Sequence, residues 1–266
     1  MKMFKQVLTG VAVAAAMATA QAVPINVGGV VWDPASPLDF NGVSATITQS
    51  IAVNGGLSGF GVVTTLNGTG VSTFCPTCEL TFQYGGFTPI GVIPLPVGGK
   101  FGETINYSGG WLNLYADTAK DADPSNATFL TAANTTNGNL WLQMVGHAVN
   151  GITLSGFNAT SVTGGIPSGT LIGGAQFDVL TTPGTAFYNF DTNSRIDGSD
   201  FNLSSAFTNL TFSNVGGFGN VPIFATGSAT LTGDSIGNAI PEPTSLALLG
   251  LSLVGMAAAR RRKQVK

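Results

Sequence analysis

Two cysteines stand three positions apart in F-C-P-T-C-E-L, as Cys75 and Cys78. That spacing has three chemical outlets. In an oxidising compartment the plain reading is a local structural disulfide. So small a loop removes little chain entropy and serves mainly to stiffen a turn. A redox-active pair wants a helix N-terminus in a βαβ setting, whereas strand-like sequence flanks these cysteines and Pro76 lies between them. A zinc site needs two further ligands, and the chain has a single histidine, His147.

Acidic groups gather twice. D-T-A-K-D-A-D-P-S-N contains Asp117, Asp121, Asp123, Ser125 and Asn126, and D-T-N-S-R-I-D-G-S-D-F contains Asp191, Asn193, Asp197, Ser199 and Asp200. Hard oxygens this close together suit Ca²⁺ in an exported protein. Neither segment is an EF-hand: counted from Asp121, the sixth position is Asn126 rather than Gly and the twelfth is Ala132 rather than Glu. Solvated, turn-forming loops are the reading adopted. Calcium is the alternative, and a glycosidase carboxylate pair such as Asp197 and Asp200 stands behind it. No metal and no cofactor is therefore assigned.

His147 in V-G-H-A-V sits on a strand-like run and reads as structural, because a general base needs a positioned nucleophile and an orienting carboxylate. V-G-G-K-F lacks the upstream Gly and the following Ser or Thr of a phosphate-binding loop. Gly216, Gly217 and Gly219 have neither the spacing nor the βαβ context of a dinucleotide fingerprint. No catalytic residue is assigned, and the expectation is a protein that is not an enzyme.

The elements that would carry these residues share one texture. Short β-branched, aromatic and aliphatic runs such as S-A-T-I-T-Q-S-I-A-V, E-L-T-F-Q-Y-G-G-F and F-T-N-L-T-F alternate with Gly, Asn, Thr, Ser and Pro. In N-L-W-L-Q-M, period two puts Leu140, Leu142 and Met144 on one face and Trp141 and Gln143 on the other. Short strands with turn signals at near-regular spacing predict an all-β fold, an antiparallel β-sandwich or jelly-roll-like domain. Composition does not shift until about Gly233, so one domain over residues 23–235 is the economical reading.

Charge is scarce: 9% of the 266 residues are Asp, Glu, Lys or Arg, against about 25% in an average soluble chain. Between Val23 and Ile240 only Lys100, Lys120 and Arg195 are basic against twelve acidic groups, a formal net charge of −9. So acidic a body excludes nucleic acid as a partner, since phosphate neutralisation needs a basic face. The remaining basic residues lie at the ends. M-K-M-F-K followed by an Ala-rich apolar run and Ala20-Gln21-Ala22 reads as a secretory signal peptide over residues 1–22.

Residues 236–266 form the other end. The apolar run Ser245–Ala259 follows Pro241-Glu242-Pro243 and precedes Arg260, Arg261, Arg262 and Lys263. As a helix it would span about 22 Å, short of a hydrocarbon core of about 30 Å. Gly250 and Gly255 weaken it further. The arginines act as a cytoplasmic stop, so the physics describes a short hydrophobic helix that occupies the membrane transiently.

That tripartite order resembles the PEP-CTERM sorting signal of Gram-negative bacteria. The resemblance implies an exosortase-type processing enzyme as partner, cleavage at or near the Pro-Glu-Pro, and delivery to the cell surface or extracellular matrix. A second resemblance rests on I-N-V-G-G-V-V-W-D-P-A-S-P-L-D-F, F-C-P-T-C-E-L-T-F-Q-Y-G-G-F and G-G-W-L-N-L-Y-A-D. These stretches look like the flocculation-associated PEP-CTERM proteins of floc-forming bacteria. That likeness implies a non-catalytic role in flocculation or biofilm cohesion, with exopolysaccharide or cell-surface glycans as partners. Trp32, Trp111 and Trp141 are the candidates for stacking on sugars, with the core as their other destination. The competing reading is a secreted carbohydrate-binding protein or β-sandwich hydrolase acting on polysaccharide.

Overall fold

The chain enters through a hairpin, β1 (Ile25–Val27) and β2 (Val30–Trp32), whose turn residues Gly28 and Gly29 take φ of 61° and 91°. Glycine reaches that left-handed region without steric cost. The computed structural model describes residues 24–52, 55–90, 103–126, 128–158, 161–163, 166–168, 170–214 and 220–236. The expected signal peptide, residues 1–22, and the sorting tail lie outside the described residues. Pro24–Ile236 forms one compact unit.

Beyond the hairpin come β3 (Phe40–Ile51), β4 (Leu57–Val62), and the two-residue strands β5 (Thr65–Leu66) and β6 (Thr69–Gly70). A single helical turn, α1 (Val71–Phe74), leads through the Cys75–Cys78 disulfide into β7 (Glu79–Pro89). There follow β8 (Glu103–Asp117), β9 (Asn139–Gly146), β10 (Leu154–Asn158), the small hairpin of β11 (Ser161–Thr163) and β12 (Ile166–Ser168), and β13 (Leu171–Val179). A second helical turn, α2 (Phe187–Phe190), precedes β14 (Phe201–Asn214) and β15 (Asn220–Gly233).

Every pairing is antiparallel, as the alternating sequence texture predicts. The pairings run β3–β4–β7–β8, then β9 and β10 together, then β13–β14–β15, and β15 pairs back onto β3. The sheet thus closes on itself as a sandwich-like barrel of eight strand positions, nearly all neighbours being consecutive in the chain. Closure removes the unpaired edges that would invite aggregation. One position is shared. β9 covers Trp111–Ala116 of β8 and β10 covers Glu103–Tyr107, with a small excursion between them that turns at Asn150-Gly151.

The inward faces follow period two. In β3, Phe40, Gly42 and Ser44, then Ile47, Gln49 and Ile51, point in; the phase slips once at Ala45-Thr46. Opposite Gly227–Ala229 the β15 register slips as well, which keeps the seam in phase. Phe82, Tyr84, Phe87, Leu112, Leu114, Phe177 and Phe207 fill the interior. Tyr84 donates its hydroxyl to Gln49 Oε1 at 3.0 Å, so the buried polar pair satisfies itself, and burial pushes the phenol's pKa up. Among the described residues, small voids of about 40 and 50 Å³ lie against this interior. The interior is a packed core rather than a pore.

One end of the barrel is plugged by aromatic rings. Phe190 stacks on Trp32 with centroids 5.0 Å apart and meets Phe40, Trp141 and Phe201 at 5.1, 5.6 and 5.3 Å. Trp141 reaches this plug through a departure from simple alternation. Leu114 faces Leu142 while Tyr115 faces Leu140, so Trp141 is the extra residue of a β-bulge. Period two alone puts Trp141 opposite Leu142; the bulge buries both. The Trp141 indole donates to Val27 O and the Trp32 indole to Ser235 Oγ, which satisfies the polar edge of each buried ring.

Candidate functional site

Three surfaces carry the residues singled out above: the plugged end, the outer wall over β7 and β8, and the outer wall over the β3–β15–β14 seam.

At the plugged end, Cys75 and Cys78 are joined and fully buried. The β1–β2 turn lies on them: a Cβ added at Gly29 would come within 3.3 Å of Cys78 Sγ. The pair stiffens the connection between α1 and β7 and supports the N-terminal hairpin. It has the setting of a structural bridge, with neither the exposure nor the long helix that redox chemistry uses.

The second acidic segment crosses the same end. Asp200 is 1% exposed, and its carboxylate accepts backbone N–H bonds from Val179 at 2.7 Å, Thr192 at 2.7 Å and Asn193 at 2.6 Å. Asp197 is exposed and caps its own turn through Ser199 N and Ser199 Oγ, and those hydrogen bonds lower its pKa. Asn193 donates to Asp191 at 3.2 Å. A glycosidase acid needs a raised pKa and a free edge. Asp200 has no free edge, and Asp197 is shifted the opposite way.

His147 lies just past β9. Its Nδ1 is 2.8 Å from Asp178 Oδ1 and its Nε2 is 2.9 Å from the Asp197 carbonyl. Acceptor oxygens thus face both ring nitrogens, which favours the protonated ring. The Asp178 hydrogen bond leads in raising its pKa above the ordinary value. This is the one ion pair among the described residues. Both ring nitrogens of His147 are thus engaged within the protein.

No nucleophile elbow is expected from the sequence motifs, yet one stretch fits the pattern and corrects that expectation. Residues 233–237 spell G-D-S-I-G, the G-x-S-x-G of a nucleophile elbow. The structure gives Ser235 different work. It follows β15, which ends at Gly233. Its Oγ donates to Asp39 Oδ1 at 2.7 Å and accepts the Trp32 indole at 3.0 Å, and its N–H goes to Asp39 Oδ2. Ser235 pins the end of the domain to its beginning.

Over β7 and β8, residues 118–138 fold back against the outer wall. Val62, Ala122 and Leu130 form a small apolar cluster beneath them, and Thr81 Oγ1 donates to Thr135 O at 2.8 Å. Under the same cover lie Glu79 and Asp117, directly opposite each other in the β7–β8 ladder. Asp121 joins them, and one carboxylate oxygen from each of the three lies within 4.8 Å of the others. Asp123, Ser125 and Asn126 stay outside this group: Asp123 caps Ser125, and Asn126 caps Thr128. Glu79 carries no signal in the linear sequence, because only strand register brings it to Asp117.

The third surface is the outer face of the seam. Thr226, Ser228, Thr230 and Thr232 of β15 alternate outward, between Thr46 and Thr48 of β3 on one side and Asn202, Ser204 and Thr208 of β14 on the other. Where the registers slip, a shallow groove of about 290 Å³ opens, lined by Thr46, Thr208, Thr226, Ser228 and the backbone of Gly227. A Cβ at Gly227 would collide with the Ala206 carbonyl, so glycine is required for β14 to approach. Of the three tryptophans, Trp32 and Trp141 belong to the core, whereas Trp111 lies on the outer wall across Gly85 and Gly86.

The tail's Pro241, Glu242, Pro243, Arg260, Arg261 and Arg262 lie outside the described residues. Among the described residues no helix is long and apolar enough to cross a membrane. A family model for the PEP-CTERM protein-sorting motif matches residues 239–263. The chain carries this sorting motif, which marks an exported protein processed by an exosortase-type enzyme and destined for the cell surface or the extracellular space. No curated protein and no solved structure matches the chain.

Proposed function

We propose that the mature chain is a non-catalytic surface or matrix protein that promotes flocculation or biofilm cohesion by holding exopolysaccharide. The observation that carries this reading is the sorting motif at residues 239–263, joined to a barrel whose seam face is a field of hydroxyls and amides with the Arg195 guanidinium reaching Thr232 at one end. Such groups exchange hydrogen bonds with sugar hydroxyls at a net gain of about 1 kcal/mol each. Weak single contacts suit a polymer ligand, because repeated units supply avidity. Trp111, on the outer wall, adds an aromatic surface on which a sugar ring can stack. The acidic groups nominated for hydrolysis, Asp197 and Asp200, are committed to turn and loop hydrogen bonds, which favours adhesion over turnover.

Deleting the gene should disperse flocs of the producing cells, and the full chain should restore them. A chain lacking residues 241–266 should fail to restore them, and so should one carrying Thr226→Val with Ser228→Ala. Mass spectrometry of the surface-exposed protein should find a C-terminus near Pro241. Rescue by the truncated chain, or a surface protein ending at Lys266, would refute processing as the route. Full rescue by the seam variant would refute the hydroxyl face as the glycan contact.

A further inference from the structure

Glu79 and Asp117 are cross-strand partners in the β7–β8 ladder. Side chains directly opposite share a face, and like charges placed so destabilise the pair. Both are buried, at 5% and 6% exposed, which increases the cost. Asp121 adds a third carboxylate from the covering segment. Among the described residues no cation pairs with them. Lys120, the neighbour of Asp121, turns away and donates its ammonium to Pro76 O at 2.6 Å. The one ion pair among the described residues is His147–Asp178, elsewhere on the barrel.

The cluster is nevertheless held in place. Ala122 N donates to Glu79 Oε1 at 3.1 Å and Ala119 N to Asp117 Oδ1 at 3.0 Å. Asn137 donates to both oxygens of Asp121, and Asn134 to its carbonyl. One atom is left over: Asp117 Oδ2 is buried within the cluster and has no hydrogen-bond partner. A buried carboxylate oxygen without a donor is costly. Such an atom, beside two more carboxylates and no ammonium, wants a hard cation.

We propose that Glu79, Asp117 and Asp121 bind a calcium ion, which clamps residues 118–138 to the barrel wall. Three carboxylates offer up to about six oxygens, and calcium completes its six to eight ligands with water or carbonyls at 2.3–2.6 Å. Asp121 is only partly covered, which gives the ion a path in. Magnesium demands a tighter octahedron and keeps its waters, so a partly buried, multi-carboxylate site favours calcium. Burial, reinforced by Asp117 and Asp121, pushes the Glu79 carboxyl up to about 7 while Ala122 N–H holds it down. The rival occupant is therefore a proton on Glu79.

The test uses the full chain stripped with EGTA and titrated with CaCl₂ or MgCl₂, read by equilibrium dialysis and thermal unfolding. The expected result is one calcium per chain with Kd of about 10⁻⁴–10⁻³ M, as in other extracellular sites. Tm should rise by about 3–6 °C at ten times Kd. Asp117→Asn and Glu79→Gln should weaken binding at least about tenfold. In EGTA both should melt no lower than the parent, since each removes a repulsion; that separates a lost ligand from a lost fold. Asp123→Asn, outside the cluster, should bind as the parent does. Absence of a calcium-dependent shift in the parent, an equal shift with magnesium, or undiminished binding by Asp117→Asn overturns the proposal.

Discussion

Replacing Asp200 by Ala tests whether the second acidic segment is architecture or chemistry. The carboxylate accepts three backbone N–H groups, from the last residue of β13 and from two consecutive residues after α2, and Thr192 Oγ1 approaches at 3.4 Å. Each charge-assisted bond is worth about 1.5–3 kcal/mol; the Val179 donor left behind is buried, while those of Thr192 and Asn193 are only partly covered. Water admitted to the cavity recovers part of this, so the net cost is about 3–5 kcal/mol. For a domain of this size that lowers Tm by about 8–15 °C. Asp200→Asn keeps one accepting oxygen but turns an NH₂ toward a donor, and should lie between the two. Urea and thermal unfolding, followed by circular dichroism, measure the effect. A Tm within about 2 °C of the parent would refute the reasoning. If that variant also lost turnover of a polysaccharide, Asp200 would be a catalytic group.

His147→Gln should flatten part of the pH dependence of stability. The folded pKa of His147 is raised by Asp178, so its contribution is full below about 6.5 and fades as pH rises through the folded value. Thermal melts from pH 6 to 9 should show the parent losing about 1–3 °C more than the variant, the size expected of a partly exposed pair; parallel curves would refute the ion pair. Phe190→Ala empties the centre of the aromatic plug, where Trp32, Phe40, Trp141 and Phe201 meet it. It should cost about 3–5 kcal/mol and collapse the near-ultraviolet dichroism of the tryptophans, and an unchanged spectrum would count against a plug built on that ring.

The strands were legible because half-buried β-sequence alternates, and Ile47, Gln49 and Ile51 show it plainly. Closure was not, because the β3–β15 pairing joins residues at opposite ends of the domain and leaves no local trace. The Trp141 bulge was hidden for a different reason. A bulge is a property of two strands in register, and no single run of residues announces it. The same limit applied to the acids. The 117–126 segment reads as one cluster, yet the ladder divides it. Asp117 and Asp121 go to Glu79, whereas Asp123 serves its own turn. Ser235 shows the opposite hazard. A five-residue pattern associated with hydrolases occurs there, yet its serine hydroxyl is spent on Asp39 and Trp32.

The pinned end of the domain has a mechanical consequence. β15 ends at Gly233, and the described chain leaves it at Ile236, beside the start of β3. Any pull through the residues beyond Ile236 enters the barrel along β15. That strand is hydrogen-bonded on both sides, to β14 and to β3. Extension along its axis has to shear two ladders together, where peeling at a free edge would open one bond at a time. Ser235, Asp39 and Trp32 take the first strain before either ladder does. Tension applied through the C-terminal side is therefore met by both ladders at once.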